Sequence, residues 1–214
     1  MSKDRTQLIS DLSNALTASD RSGRTADLTL IWLAANFIVA ALLIYSAGPF
    51  REGSLQQAQD HPQFLIESLT GVLAIIVLGV SAIRSGIPSS MFRLKRFWPA
   101  LTLLILWLGF YVAGIWSPAL EPSTQGARAS LCYVETVIYA LPSLLLGLYF
   151  CGRLWPLNGG WTGLLVGLAA GSTTALIMQF ACMYEPVHII THHLIPGLLL
   201  GGVGLVAGRF YLAR

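Results

Sequence analysis

Three cysteines, four histidines and a few acids among apolar runs carry the reactive chemistry available to this chain. Cys132 precedes Glu135 at i, i+3, a spacing that places thiol and carboxylate on one helix face. Cys182 and Glu185 repeat that separation. His188, His192 and His193 follow closely, and His61 stands apart. His188 and His192 share a face if 186–193 is helical, which Pro186 opposes. Thiolate, imidazole and carboxylate at the mouth of a helix bundle suit a soft or borderline cation such as Zn, Cd or Cu. Two thiols facing an oxidising compartment equally form a Cys132–Cys182 disulfide. A third reading gives them no joint role, since short loops are polar anyway and neither CxxC nor HExxH is present. Cys151 closes the same helix that Cys132 opens, a bilayer thickness away, and reads as a small buried apolar residue.

The elements that position these groups follow from composition. Of 214 residues, 55% are hydrophobic and 11% charged, against about 25% charged in soluble domains. A water-soluble globule is thereby excluded. Ten acids against thirteen bases leave +3, too little for a domain that binds nucleic acid directly. Three cysteines exclude a disulfide scaffold. The class is an all-α polytopic membrane protein whose solvent is the lipid bilayer.

A spanning helix needs about 20 apolar residues. Six segments qualify: Leu28–Gly48, Phe64–Ile83, Trp98–Ser117, Leu131–Cys151, Trp161–Cys182 and Leu194–Leu212. No segment alternates with period two, which excludes a barrel. The first apolar run is too long for a signal-peptide core and is expected to be a retained anchor. The chain thus divides into a segment 1–27 and a six-helix domain 28–214.

Basic residues orient the bundle. Lys3, Arg5, Arg21, Arg24, Arg84, Arg93, Lys95, Arg96, Arg153, Arg209 and Arg214 fall on one side; only Arg51 and Arg128 fall on the other. The bias predicts cytoplasmic termini. Loops 49–63, 118–130 and 183–193 are then outside, with all four histidines, Cys132 and Cys182.

Inside the bilayer, Gly163, Gly167 and Gly171 recur every four residues on span five. Gly197, Gly201, Gly204 and Gly208 form a similar stripe on span six. Such stripes let backbones approach closely, within one chain or between copies in a homo-oligomer. Pro142 is expected to kink span four. Glu67 and Glu135 sit in the outer turns of their spans, where partial hydration suffices. Asn36 and Gln179 are expected to hydrogen-bond between helices.

The amino-terminal segment carries Leu8, Leu12 and Leu16 every four residues, flanked by Ile9 and Ala15. That is one apolar stripe on a short helix, followed by a polar linker over Ser19–Thr25. The opposite face mixes both signs. A helix built for an anionic leaflet favours bases alone, so the segment is read as docking a cytoplasmic protein.

Taken in order, TQLISDLSNAL, six spans, CYVET, ALPSLLLGL, GLLVGLAAG and ACMYEPVHIITHHLIPG resemble the NrsF-type membrane anti-sigma factors. The resemblance covers nearly the whole chain. It implies a non-enzymatic negative regulator of transcription at the bacterial inner membrane, acting in a stress response. It further implies an extracytoplasmic-function sigma factor as partner; the apolar stripe of Leu8, Ile9, Leu12 and Leu16 is then the expected contact. Release on heavy metal or oxidant falls to Cys132 and Cys182, with a downstream histidine among His188, His192 and His193.

Two other classes compete. A small transporter or channel for a metal or organic solute would line its path with Asn36, Glu67, Glu135 and Gln179, yet no inverted repeat is evident. An intramembrane hydrolase would use Glu135 and the histidines as metal ligands, without a recognised paired motif.

Overall fold

The computed structural model describes residues 4–15, 21–48, 50–87, 97–121 and 131–212, and every regular element among them is helical. In chain order these are α1 (Arg5–Ala15), α2 (Arg21–Ala47), α3 (Ser54–Asp60), α4 (Pro62–Ser85), α5 (Trp98–Gly114), α6 (Cys132–Gly152), α7 (Gly159–Ala181), a single turn α8 (Pro186–His188), a π-helical stretch Ile189–Leu194, and α9 (Ile195–Tyr211).

Five segments are long and apolar enough to cross a bilayer: Thr25–Ala47, Pro62–Ser85, Cys132–Gly152, Gly159–Ala181 and Pro186–Tyr211. The sixth expected span is α5, apolar but only 17 residues long. At 1.5 Å per residue it measures about 26 Å, just short of the roughly 30 Å hydrocarbon core. The helix stops at Gly114, three residues before the expected Ser117. The all-α membrane bundle therefore stands, with five full-length helices and one shorter.

Local sequence explains several helix starts. α4, α5 and α8 each carry proline in the first two positions, where the missing N–H has no intrahelical partner to lose. α7 starts behind Asn158, whose side chain accepts from the Trp161 amide at 3.0 Å. α6 runs unbroken through Pro142.

α7 is the central helix, packed by α2, α4, α6 and α9. Its glycines, alanines and small hydroxyl residues admit neighbours on nearly every side, and most of its residues are buried. Around it, Trp32, Phe64, Ile75, Leu78, Trp107 and Tyr111 fill the core. Ile38, Leu42, Ile105, Leu145 and Leu199 point outward, as suits an apolar solvent.

The helices run up and down. Ile44 near the end of α2 meets Cys132 at the start of α6 and Cys182 at the end of α7. Gly114 at the end of α5 faces Pro186. At the opposite end Ser85 bonds Thr162 at 2.9 Å, and Gly159 packs on Gly208 and Leu212. The start of α2 and the end of α9 thus share the end opposite the cysteine pair.

Four expectations change. Arg21–Thr25 belong to α2 rather than to a polar linker, because the apolar run propagates helix backwards into polar residues. The loop expected over 183–193 is helical from Pro186, which opens a helix at its first turn instead of preventing one. The loop 49–63 contains α3. Glu67 is fully buried rather than partly hydrated. Its carboxylate accepts from Tyr184 Oη at 3.0 Å and from Gln63 Nε2 at 3.4 Å, so protein donors replace water. Asn36 and Gln179 do bridge helices, to Thr173 at 2.7 Å and Ser68 at 2.8 Å.

Leu16, Arg93, Lys95, Arg96 and Arg128 lie outside the described residues, as do the side chains of Leu8 and Leu12. Ile9 is exposed.

Candidate functional site

The two cysteines are brought together because each sits at the same end of its helix. Cys132 is the first residue of α6, and Cys182 follows the last residue of α7. Their sulfurs are 3.2 Å apart, and no disulfide joins them. A disulfide requires about 2.05 Å, and two thiolates on one tetrahedral ion stand about 3.8 Å apart. The observed spacing lies between the two. Ile44 and Met178 pack against the pair, with Phe50, Tyr139 and Ile177 partly buried around it, so the site is largely dry.

Two histidines join them. Cys132, Cys182, His188 and His193 are all buried, and one ligand atom from each lies within 4.8 Å of every other. His188 Nε2 is 3.3 Å from Cys182 Sγ. His193 is fully buried. The sulfurs come from α6 and the end of α7, the imidazoles from the stretch that opens the last transmembrane segment.

The π-helical stretch decides which histidine enters. In an α-helix residues five apart diverge by about 140°, and residues four apart share a face. A π-turn closes i to i+5 instead. Across Ile189–Leu194, His193 takes the inward position. His192 stacks on His188 with ring centroids 4.4 Å apart, further toward solvent. His188 and His192 therefore do share a face, but the ligand-grade partner of His188 is His193. Glu135 and Glu185 are half-buried and stand outside the four-residue group. His61 separates α3 from α4 and belongs to neither.

Thr136, one turn into α6, ties the cluster to the backbone. Its hydroxyl donates to the Cys132 carbonyl at 2.8 Å and also approaches the His192 carbonyl at 3.2 Å. His193 Nδ1 lies 3.4 Å from the same oxygen. With its proton given to a carbonyl, that oxygen faces His193 as an acceptor, which places the imidazole proton on Nδ1. Nε2 of His193 is then a bare lone pair, buried and without a hydrogen-bond partner.

Arg51 completes the surroundings. It reads in the sequence only as one of two bases on the sparsely charged side. Its guanidinium donates to the Cys182 carbonyl at 3.0 Å and to Gln57 at 2.8 Å, and its amide donates to Phe180 O at 3.1 Å. It satisfies the carbonyl end of α7 and sets a positive charge beside the thiols. Burial lowers the Arg51 pKa, partly offset by the charges of Cys182 and Tyr184. The hydrogen bond from Cys132 holds the Cys182 thiol below its ordinary range, with His188 acting in the same sense against desolvation. No pattern in the sequence marks Arg51 or Thr136 as members of the site.

The glycine stripes join α7 to α9 within the chain. A Cβ on Gly163 would overlap the Gly204 carbonyl, one on Gly167 the Leu200 carbonyl, and one on Gly171 the Gly197 carbonyl. Backbone meets backbone along the whole seam, so α7 and α9 form one stiff unit. That unit carries Cys182, His188 and His193; Cys132 alone rides on α6. Cys151, at the far end of α6, is fully buried with its sulfur 3.8 Å from the Ala82 carbonyl.

The family model described as NrsF, negative regulator of sigma F, matches residues 12–213. No curated protein and no solved structure matches the chain. The chain belongs to the NrsF family, and is by that membership a negative regulator of a sigma factor.

Proposed function

We propose that this NrsF-family protein holds an extracytoplasmic-function sigma factor inactive at the bacterial inner membrane, and frees it when a thiophilic metal or an oxidant engages Cys132 and Cys182 from the outer side. The observation that carries the control is the 3.2 Å separation of two sulfurs borne on different helices. Either ligation or oxidation ties α6 to the α7–α9 unit. With a peroxide as oxidant, the two thiols lose two electrons and two protons, the S–S bond forms, and the peroxide leaves as water.

The tie reaches the other end of the bundle through α2. Trp32 on α2 donates its indole N–H to the Ser143 carbonyl of α6 at 3.1 Å. The same helix leads back to the amino-terminal segment, whose sequence carries Leu8, Ile9, Leu12 and Leu16 as an apolar stripe for the sigma factor. The excess of Lys and Arg at that end supports a cytoplasmic location. Inverting a 1:99 population takes about 5.5 kcal/mol of differential binding. Thiolate–metal sites, at about 10–16 kcal/mol for structural zinc, have that capacity.

The test is copurification of the full chain with its sigma factor, with and without residues 1–19. Stopping short of α2 leaves the transmembrane helices intact. Binding is expected to be lost in the shortened chain. Undiminished binding would remove the segment from the mechanism.

A further inference from the structure

We infer that Cys132, Cys182, His188 and His193 form a closed four-ligand S2N2 site for a tetrahedral d10 divalent cation of the zinc or cadmium class, with His193 completing it through Nε2. The inference rests on the reading of the cysteine pair as the sensor, and specifies what that sensor takes.

The donor set argues for the cation. Two thiolates and two imidazoles are the borderline-soft set that zinc and cadmium take as tetrahedra. Hard cations prefer oxygen, and the carboxylates of Glu135 and Glu185 lie outside the group. The distances are close to those required. A tetrahedron at about 2.3 Å from sulfur and 2.0 Å from nitrogen sets the sulfurs about 3.8 Å apart and each sulfur about 3.5 Å from nitrogen. The sulfurs stand at 3.2 Å and Cys182 Sγ to His188 Nε2 at 3.3 Å. Opening the pair by about half an ångström admits the ion.

His193 supplies an independent observation. A fully buried imidazole with an unpartnered Nε2 is unfavourable in a dry site unless that lone pair meets a hydrogen-bond donor or a cation. Thr136 sits on Nδ1, and a hydrogen bond at that nitrogen fixes the tautomer of a histidine that binds metal through the other. Binding displaces the thiol protons to solvent, and Cys132 and Cys182 enter as thiolates. Four protein donors leave no open position, so the ion joins α6 to the α7–α9 unit and catalyses nothing.

The experiment is titration of the full chain in detergent with Co2+ and then Cd2+. One equivalent of Co2+ is expected to give tetrahedral d–d bands with thiolate charge transfer, bleached by Cd2+. His193→Ala and Cys182→Ser should each weaken Cd2+ binding by about 100-fold or more. His192→Ala should leave the spectrum intact. His193→Cys, which replaces one donor by another, should retain binding with a spectrum shifted toward three sulfurs; a purely structural role would not produce that shift. An octahedral cobalt spectrum, half an equivalent per chain, or binding indifferent to His193 with His193→Cys unshifted would overturn the site. Release of the sigma factor is read in the same preparation. A tetrahedral spectrum with the sigma factor still held would uphold the site and defeat its sensory reading. Release by peroxide without any metal spectrum would do the reverse.

Discussion

The indole of Trp32 lies across Gly147, where a Cβ would come within 2.8 Å of two ring atoms. One turn earlier on α6 the same indole donates to the Ser143 carbonyl. The first and third full-length transmembrane helices are thus keyed together by a notch that only glycine leaves open. α6 starts at Cys132 and α2 starts at the opposite end of the bundle, so the key lies between the thiols and that far end.

Trp32→Phe keeps most of the ring and removes the hydrogen bond. A loss of about 1 kcal/mol, roughly fivefold in the release equilibrium, is expected. Sigma release against cadmium concentration measures it, with Cd2+ affinity as the control. Unchanged release would place the route elsewhere.

The glycine seam gives a sharper contrast. Gly167→Ala pushes a methyl into the Leu200 carbonyl and is expected to cost about 1–3 kcal/mol. Gly202, with nothing within 4 Å, should accept alanine with no loss and a gain of up to about 1 kcal/mol in helix propensity. Thermal unfolding of both variants in detergent checks the pair. Equal stability of the two would mean that α7 and α9 are not in backbone contact.

Oxidation should be selective. Peroxide or diamide treatment is expected to join Cys132 to Cys182 within one chain and to leave Cys151 alkylatable only after denaturation. Peptide mapping under non-reducing conditions reads this directly. A cross-link to Cys151, or between copies of the chain, contradicts the arrangement of α6.

Glu67 offers a test of the buried polar bridge at the cysteine end. Tyr184 donates to it and accepts the Ala119 amide at 3.3 Å. Glu67→Gln keeps an acceptor and should cost less than about 1 kcal/mol, whereas Glu67→Ala leaves Tyr184 unpaired beside a cavity and should cost about 2–4 kcal/mol. The same unfolding assay distinguishes them. Solute flux lost in Glu67→Gln at unchanged stability would instead point to a transport path.

Composition and apolar periodicity alone determined that this chain is helical and built for a bilayer. Lengths of apolar runs place most helix boundaries within a few residues, because burial of backbone polar groups in lipid permits little else. The same reading placed Cys132 and Cys182 at the same end of spans four and five but left open whether they act together; their 3.2 Å approach is a product of the tertiary fold. Close packing by Gly163, Gly167 and Gly171 was also legible, because small residues at spacing four have one steric use. The choice of His193 over His192 was not. It depends on one extra residue in a helical turn, which no period-3.6 pattern encodes and which the packing of α9 against α7 decides. Arg51 and Thr136 are likewise products of the tertiary fold. An arginine in a short loop and a threonine one turn into a helix become partners of the site only when three separate chain segments converge on it.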